Sequence, residues 1–341
     1  MRLSDVVRYT VSCLAVATLA ACAALRQAQD DNQPPMGGAA AMPQILRSAR
    51  HVEHGRSWML PEAKRENLLY VVDEAARDVY VYSYPQRVLV GTLSFDYPTG
   101  DCVDKAGNVW IDTVQQSGPP VIQKFAHGGT SPIATLDFPD DGDDPTSCSV
   151  DRTTGNLAAS SFFGTVYVYI KAKGTGQSYG GARWYADAYT AYDDSGNLYV
   201  DATVGNPGYL RPALFELKKN DNRYRRLWFW PRLDFSFPAP GGLQWDGDQL
   251  AFGEEYSSSG PIVYNVGKRG KFVTLASSTT LSIDAWVDQF WIQGKTLIAP
   301  YYTSGGGGIA FFKYPAGGSP ISTITGLGKP VAATVSLASN K

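Results

Sequence analysis

Apolar residues in this chain come in short runs, broken by Asp, Gly, Asn and Pro at near-regular intervals. The stretch CVDKAGNVWIDT (102–113) predicts a strand, a tight turn and a second strand, and SVDRTTGNLAAS (149–160) and AYDDSGNLYVDA (191–202) restate it. Asp at the first turn position accepts nearby backbone N–H groups, and Gly at the fourth tolerates the left-handed conformation that closes a hairpin. Asp104-Lys105-Ala106-Gly107 and Asp193-Asp194-Ser195-Gly196 both fit, whereas Asp151 to Gly155 holds one extra residue and Trp245-Asp246-Gly247-Asp248 is shorter. With Asp104, Asp151, Asp193, Asp246 and Gln293 as markers, the intervals are 47, 42, 53 and 47 residues. That is the period of a four-stranded propeller blade.

The strand after each turn is apolar: VWI (109–111), LAA (157–159), LYV (198–200), LAF (250–252) and TLIA (296–299). A third strand is predicted at 79–84, 121–125, 165–170, 213–217, 261–266 and 309–314. Outer strands are predicted at 88–93, 132–138, 224–230, 271–276 and 320–325, with blade three's near 179–185. ENLLYVVDEAARDVYVYSYP (66–85) supplies a further hairpin before the first marker. About 285 residues at roughly 47 per blade make six, so the fold class is all-β, a six-bladed β-propeller of four-stranded antiparallel blades over 56–341. Either PVAATVS (330–336) returns to blade one to close the ring, or SWML (57–60) does, or both.

Composition agrees. Gly 35, Pro 21 and Tyr 20 among 341 residues, with only 18% charged, favour short strands and tight turns over long helices. A formal net charge of −2 without a basic block excludes a nucleic-acid surface.

The first 21 residues read as a signal peptide: Arg2 and Arg8 precede the apolar run VSCLAVATLAA (11–21), which is short for a transmembrane span. Leu19-Ala20-Ala21-Cys22 resembles the lipobox of bacterial lipoproteins, in which the Cys is lipidated and the chain is cut just before it. The resemblance implies an exported protein anchored in the cell envelope through Cys22, since two or more acyl chains hold a protein at a membrane stably. Residues 22–55 carry few large apolar side chains and read as a flexible tether with a reach of roughly 30 Å.

The turn pattern Asp-x-x-Gly-Asn followed by Leu/Val-Tyr/Trp-Val/Ile, at 104–111 and 193–200 and more loosely at 151–159, resembles the NHL-repeat type of bacterial propeller. That resemblance concerns architecture. The gluconolactonase-like propellers, similar in fold, place a divalent cation on channel carboxylates and amides. Asp101, Asp187 and Asp284 are expected near the starts of three innermost strands, and Asp112 and Asp201 at equivalent late positions on second strands, all toward one channel mouth. They are candidates for a ligand or a Ca²⁺ site; alternatively they bond backbone N–H groups at strand ends. The Glu which that family carries on its first inner strand is missing, and Trp58 and Met59 occupy the region.

FPDDGDDPTSC (138–148), with Asp140, Asp141, Asp143 and Asp144, is either a weak calcium loop or a solvated connection; it lacks the closing Glu of an EF-hand. Cys102 and Cys148 lie on the strands entering adjacent hairpins, and either form a cross-blade disulfide or remain buried thiols. The histidines, His51, His54 and His127, fall in the tether and an outer loop, which argues against zinc, a Ser-His-Asp triad and a lyase needing a channel His. Trp228-Phe229-Trp230 is expected to pack between blades, or else to stack on a sugar or apolar ligand.

Three functions follow. The leading one is a monomeric, lipid-anchored envelope module that binds a protein, glycan or small molecule. The others are a metal-dependent hydrolase or lyase using channel carboxylates, and a purely structural envelope protein.

Overall fold

The computed structural model describes residues 56–139, 143–179, 186–206, 209–233 and 240–339. They form six sheets of four or five strands arranged as the blades of a propeller, antiparallel throughout except for one short parallel edge pair in blade five. Blade two is typical. Its innermost strand Tyr97–Val103 turns at Asp104–Asn108 into Val109–Val114, and Val121–Phe125 and Pro132–Asp137 follow outward. The innermost strands of blades three to six are Pro145–Val150, Ala186–Tyr192, Pro240–Asp246 and Trp291–Gln293.

Blade one is assembled differently. Leu68–Asp73 and Asp78–Ser83 form the hairpin expected at 66–85, but as second and third strands. The innermost place belongs to Pro330–Ser336, paired antiparallel from Leu68↔Ser336 to Asp73↔Pro330. Trp58–Met59 joins the same sheet at its outer edge, against Thr92 and Gly91. Both candidate closing segments are therefore used, at opposite edges of one blade, and Trp58 and Met59 are outermost where the sequence comparison had placed them inside. His127 locks the seam: one ring nitrogen lies 2.6 Å from the Ser336 hydroxyl and the other 2.9 Å from the Glu66 carbonyl.

Because each blade is sandwiched between two others, both faces of its strands are buried, and its strands read as continuous apolar runs. Leu68, Tyr70 and Val72 pack toward Val109 and Ile111 of blade two, while Leu69 and Val71 pack toward Ile298 and Phe311 of blade six. The core is thus a ring of interblade clusters, one at every blade–blade interface.

Two outer strands depart from expectation. Blade three's is Gln177–Ser178, before the expected 179–185, of which 180–185 lie outside the described residues. The run 224–230 is split: Arg225–Arg226 finishes blade four, and Trp228–Phe229 crosses over to pair in parallel with Phe272–Val273 of blade five. Phe229 alone packs inward, on Phe252 at 5.6 Å. Trp228 and Trp230 face outward, 49% and 69% exposed, with the Arg226 guanidinium 4.6 Å over the Trp228 ring. The expectation that all three rings pack between blades holds only for Phe229, because strand alternation sends its two neighbours to the other face.

Candidate functional site in the central channel

The hairpin turns behave as their sequence dictates. Asp104 accepts the N–H groups of Ala106 (2.8 Å) and Asn108 (3.0 Å), the Asn108 side-chain amide (2.8 Å) and the Lys124 ammonium (2.8 Å). Gly107 and Gly196 both adopt φ +82°, the left-handed turn position predicted for them. Asp151 and Asp193 serve their turns in the same way, the turns of blades five and six are two-residue connections at 247–248 and 294–295, and all five close the innermost hairpins of blades two to six on one face of the ring.

Inside the ring lies a cavity of about 400 Å³, lined by innermost-strand residues of every blade. Asp101, Ser147, Thr190, Gly242 and Gln289 line it at mid-channel, and Arg152, Asp194 and Gly247 at the turn face. The Gln289 side-chain amide donates to the Thr146 carbonyl at 2.8 Å, a strap from blade six to blade three across the axis. No wall residue lies beyond the strap on these strands, so the cavity belongs to the turn-side half of the channel. Four aromatic residues contribute to its lining, Tyr192, Trp245, Phe290 and Trp291, and each also packs in an interblade cluster. Trp245 is held by stacking on Tyr199 (6.0 Å) and by its indole N–H to Asp194 (3.1 Å), and the Trp291 indole N–H donates to Gln293 (3.2 Å).

Cys102 and Cys148 form a disulfide with Cα atoms 5.5 Å apart, joining the innermost strands of blades two and three beside Asp101. Here the two strands meet closely: a side chain at Gly100 would place its Cβ 2.5 Å from the Thr146 carbonyl and 2.8 Å from the Asp112 carboxylate.

The channel carboxylates are unlike those of the turns. Asp101 is 5% exposed, Asp112 and Asp201 are 0% exposed, and no side-chain oxygen of the three has a hydrogen-bond partner. Burial pushes the Asp101 carboxyl far above the usual carboxylate range, and the neighbouring Asp112 pushes it further. Burial raises Asp112 to about 8 and Asp201 well above its ordinary value, with the Ala202 N–H only a weak counterweight at Asp201. The reading of these groups as strand-end acceptors of N–H bonds therefore fails for Asp101 and Asp112, while Asp201 has only the N–H of its own neighbour Ala202. Asp73 does play that part in blade one, taking the N–H groups of Ala76, Gly328 and Lys329.

Of the five carboxylates expected at one mouth, only Asp101 is among the described residues lining the cavity. Asp112 lies on the adjacent strand, opposite Gly100, and Asp201 holds the matching place in blade four, opposite Tyr189. Asp187 is on the strand Ala186–Tyr192. Asp284 is instead exposed in the loop before Trp291, where it accepts the Tyr256 hydroxyl at 3.4 Å; blade six starts its inner strand later than the marker spacing suggests. Of the acidic loop, Asp140 and Asp141 lie outside the described residues. Asp143 accepts the Phe163 N–H at 2.9 Å and the Asp144 carbonyl that of Phe162 at 2.9 Å, so this pair braces the 161–165 turn.

A calcium ion in the channel needs six to eight oxygens. Asp101 and Asp112 supply carboxylates, but the Thr146 carbonyl is already engaged by Gln289, and among the described residues no group of three His, Cys, Asp or Glu converges.

Arg152, Tyr192, Trp245, Gln289 and Trp291 were not singled out by the sequence reading. A signal for part of the wall was present. Val103, Val150, Tyr192, Trp245 and Ile292 each immediately precede a repeat marker, and all five line the cavity.

No family model matches the chain. No curated protein matches it either. Solved structures share its fold at low identity. A protein of unknown function from Bacteroides caccae is 10% identical with a TM-score of 0.56, covering 79% of this chain and 98% of that one. TolB from Acinetobacter baumannii is 14% identical with a TM-score of 0.55, covering 81% and 68%. Hydrazine synthase of Kuenenia stuttgartiensis is 13% identical with a TM-score of 0.54, covering 76% and 83%. These likenesses show the fold alone, and the function has to be argued from the cavity.

Proposed function

We propose that this protein is a lipid-anchored binding module of the cell envelope that takes its ligand in the turn-side cavity of the propeller channel. The observation that carries the binding role is the cavity itself, about 400 Å³ and lined by the innermost strands of all six blades, within the size range of small-molecule sites. The anchoring rests on Leu19-Ala20-Ala21-Cys22 and the tether that follows.

Each part has its own test. Mass spectrometry of the protein from the membrane fraction is expected to find an acylated Cys22 as the first residue; an unmodified start elsewhere overturns the anchor. Thermal-shift screening of small molecules extracted from the envelope is expected to yield a fraction that stabilises the protein but not Ser149→Trp, which fills the cavity. Equal stabilisation of both proteins by every active fraction overturns the channel as the binding site.

A further inference from the structure

We infer that the outer rim of blade five is a docking surface for an anionic lipid bilayer, made of exposed rings set among arginines and lysines. The inference goes beyond the binding role of the channel and does not depend on it.

The crossover segment builds the surface. Trp228 donates its N–H to the Lys271 carbonyl at 2.9 Å, and Trp230 donates to that of Val273 at 2.9 Å, which lays the segment along the strand Phe272–Thr280. In this register Trp228 stands beside Phe272, while Phe229 and Val273 turn to the core. Trp228, Trp230, Phe272 and Leu275 are all exposed, and none of the four belongs to an interblade cluster. Blade packing therefore does not account for these large apolar side chains.

Charge marks the same place. Residues 222–233 and 256–283 hold seven Arg and Lys and no Asp or Glu, in a chain whose net charge is −2. Two of the seven are paired, Arg225 with Asp221 at 2.8 Å and Lys268 with Glu216 at 2.7 Å. The Arg226 guanidinium lies 4.6 Å over the Trp228 ring and the Lys271 ammonium 5.4 Å over the Phe272 ring. Arg223, Arg232 and Arg269 are exposed nearby in the chain.

Complementarity selects the occupant. A Trp ring suits the boundary between headgroups and acyl chains, and Arg and Lys beside it meet the negative charge of anionic lipids. A two-fold contact with a second copy of the chain would set these cations against their like. A neutral sugar would use the rings and leave the charge unanswered. In the anchored protein proposed above, a tether with a reach of roughly 30 Å keeps the bilayer at high local concentration, so a weak surface suffices. Contact through the outermost strands leaves the cavity, at the innermost ones, clear of the lipid.

The test is hydroxyl-radical footprinting of the full chain carrying Cys22→Ser, so that no acyl chain takes part and the contribution of the N-terminal segment is common to every sample. Vesicles are of phosphatidylcholine alone or mixed equally with phosphatidylglycerol. The mixed vesicles are expected to lower oxidation of Trp228 and Trp230 at least threefold, and salt at about 0.5 M to restore it. Phosphatidylcholine alone should leave both rings reactive, and Phe162 and Phe163, exposed on blade three, should stay reactive throughout. Arg269→Glu with Lys271→Glu, at an exposed hairpin tip, is expected to abolish the protection at unchanged Tm. Lys105→Glu with Lys173→Glu makes the same charge change elsewhere on the surface and is expected to keep it. Equal protection by phosphatidylcholine alone, or of Phe162 and Phe163, overturns a charge-selected contact at this rim. Dextran sulfate protecting the rings as well as vesicles do assigns the surface to a soluble polyanion and overturns the bilayer. No protection by mixed vesicles, or protection that survives Arg269→Glu with Lys271→Glu, overturns the inference outright.

Discussion

Asp104 and Asp101 lie three residues apart on one hairpin. Asp104 collects N–H groups from its own turn and the ammonium of Lys124; burial alone would raise its carboxyl, but Lys124 and Asn108 outweigh it and hold the group below its ordinary value. Asp101 is more deeply buried, has no partner, and sits beside a second unpartnered acid, Asp112. The contrast recurs in blade four. Asp193 accepts the N–H groups of Ser195 (2.9 Å) and Asn197 (2.8 Å), the Asn197 amide (2.8 Å) and the Tyr199 hydroxyl (3.2 Å), while Asp201 accepts no side-chain hydrogen bond. Turn carboxylates are consumed in making the hairpin and have nothing left to offer a ligand. Channel carboxylates weaken the fold that holds them, which is the expected mark of a group kept for another purpose.

The largest effect should come from the bond that holds Asp101's strand to the next blade. Replacing Cys102 and Cys148 together by Ser opens a 46-residue separation and is expected to cost ~4 kcal/mol in urea unfolding. A loss below ~1 kcal/mol would mean that blade packing alone positions the channel acids.

Next comes the satisfied class. Asp193→Ala strips four donors of their acceptor and should destabilise by about 2–3 kcal/mol, some of those donors being buried. The unsatisfied class should respond with the opposite sign. Asp112→Asn keeps the shape and removes the ionisable group, and is expected to stabilise by about 1–2 kcal/mol at pH 8. Its folded pKa of about 8 lies above the unfolded value, so the native wild type binds more protons between roughly pH 4 and 8. Wild-type stability therefore falls as pH rises through that window, and the advantage of the variant shrinks toward zero near pH 4. Denaturation at pH 4.5 and pH 8 checks it, and an advantage equal at both would show that Asp112 has a partner. The smallest effect expected is that of calcium: no shift in Tm at millimolar concentration. A clear stabilisation lost in both Asp101→Asn and Asp112→Asn would turn the channel acids into metal ligands.

The ring was legible because its unit is local. Turn chemistry at Asp104, Asp151 and Asp193 and the apolar strand after each turn depend on neighbours in sequence, and they carry the blade count. Outer strands were less legible, since Trp228–Phe229 obtains its hydrogen bonds from Phe272–Val273 of the next blade, and no local pattern records such a crossover. The site was half legible. Asp101, Asp112 and Asp201 can be named from their register, but whether a buried carboxylate meets an N–H depends on blades brought together from distant parts of the chain. Gln289 strapping Thr146 is of that kind, joining residues 143 apart.

The seam of blade one bears on when this cavity comes into being. Ala333, on the strand Pro330–Ser336, is part of its wall, and that strand pairs with residues more than 250 positions earlier. A nascent or clipped chain stopping before Pro330 can form hairpins throughout blades two to six and still have a gap beside the axis. Ligand binding would then report that synthesis has passed this point and that the circle has shut, so the same strand that seals the fold also serves as its proof of completeness.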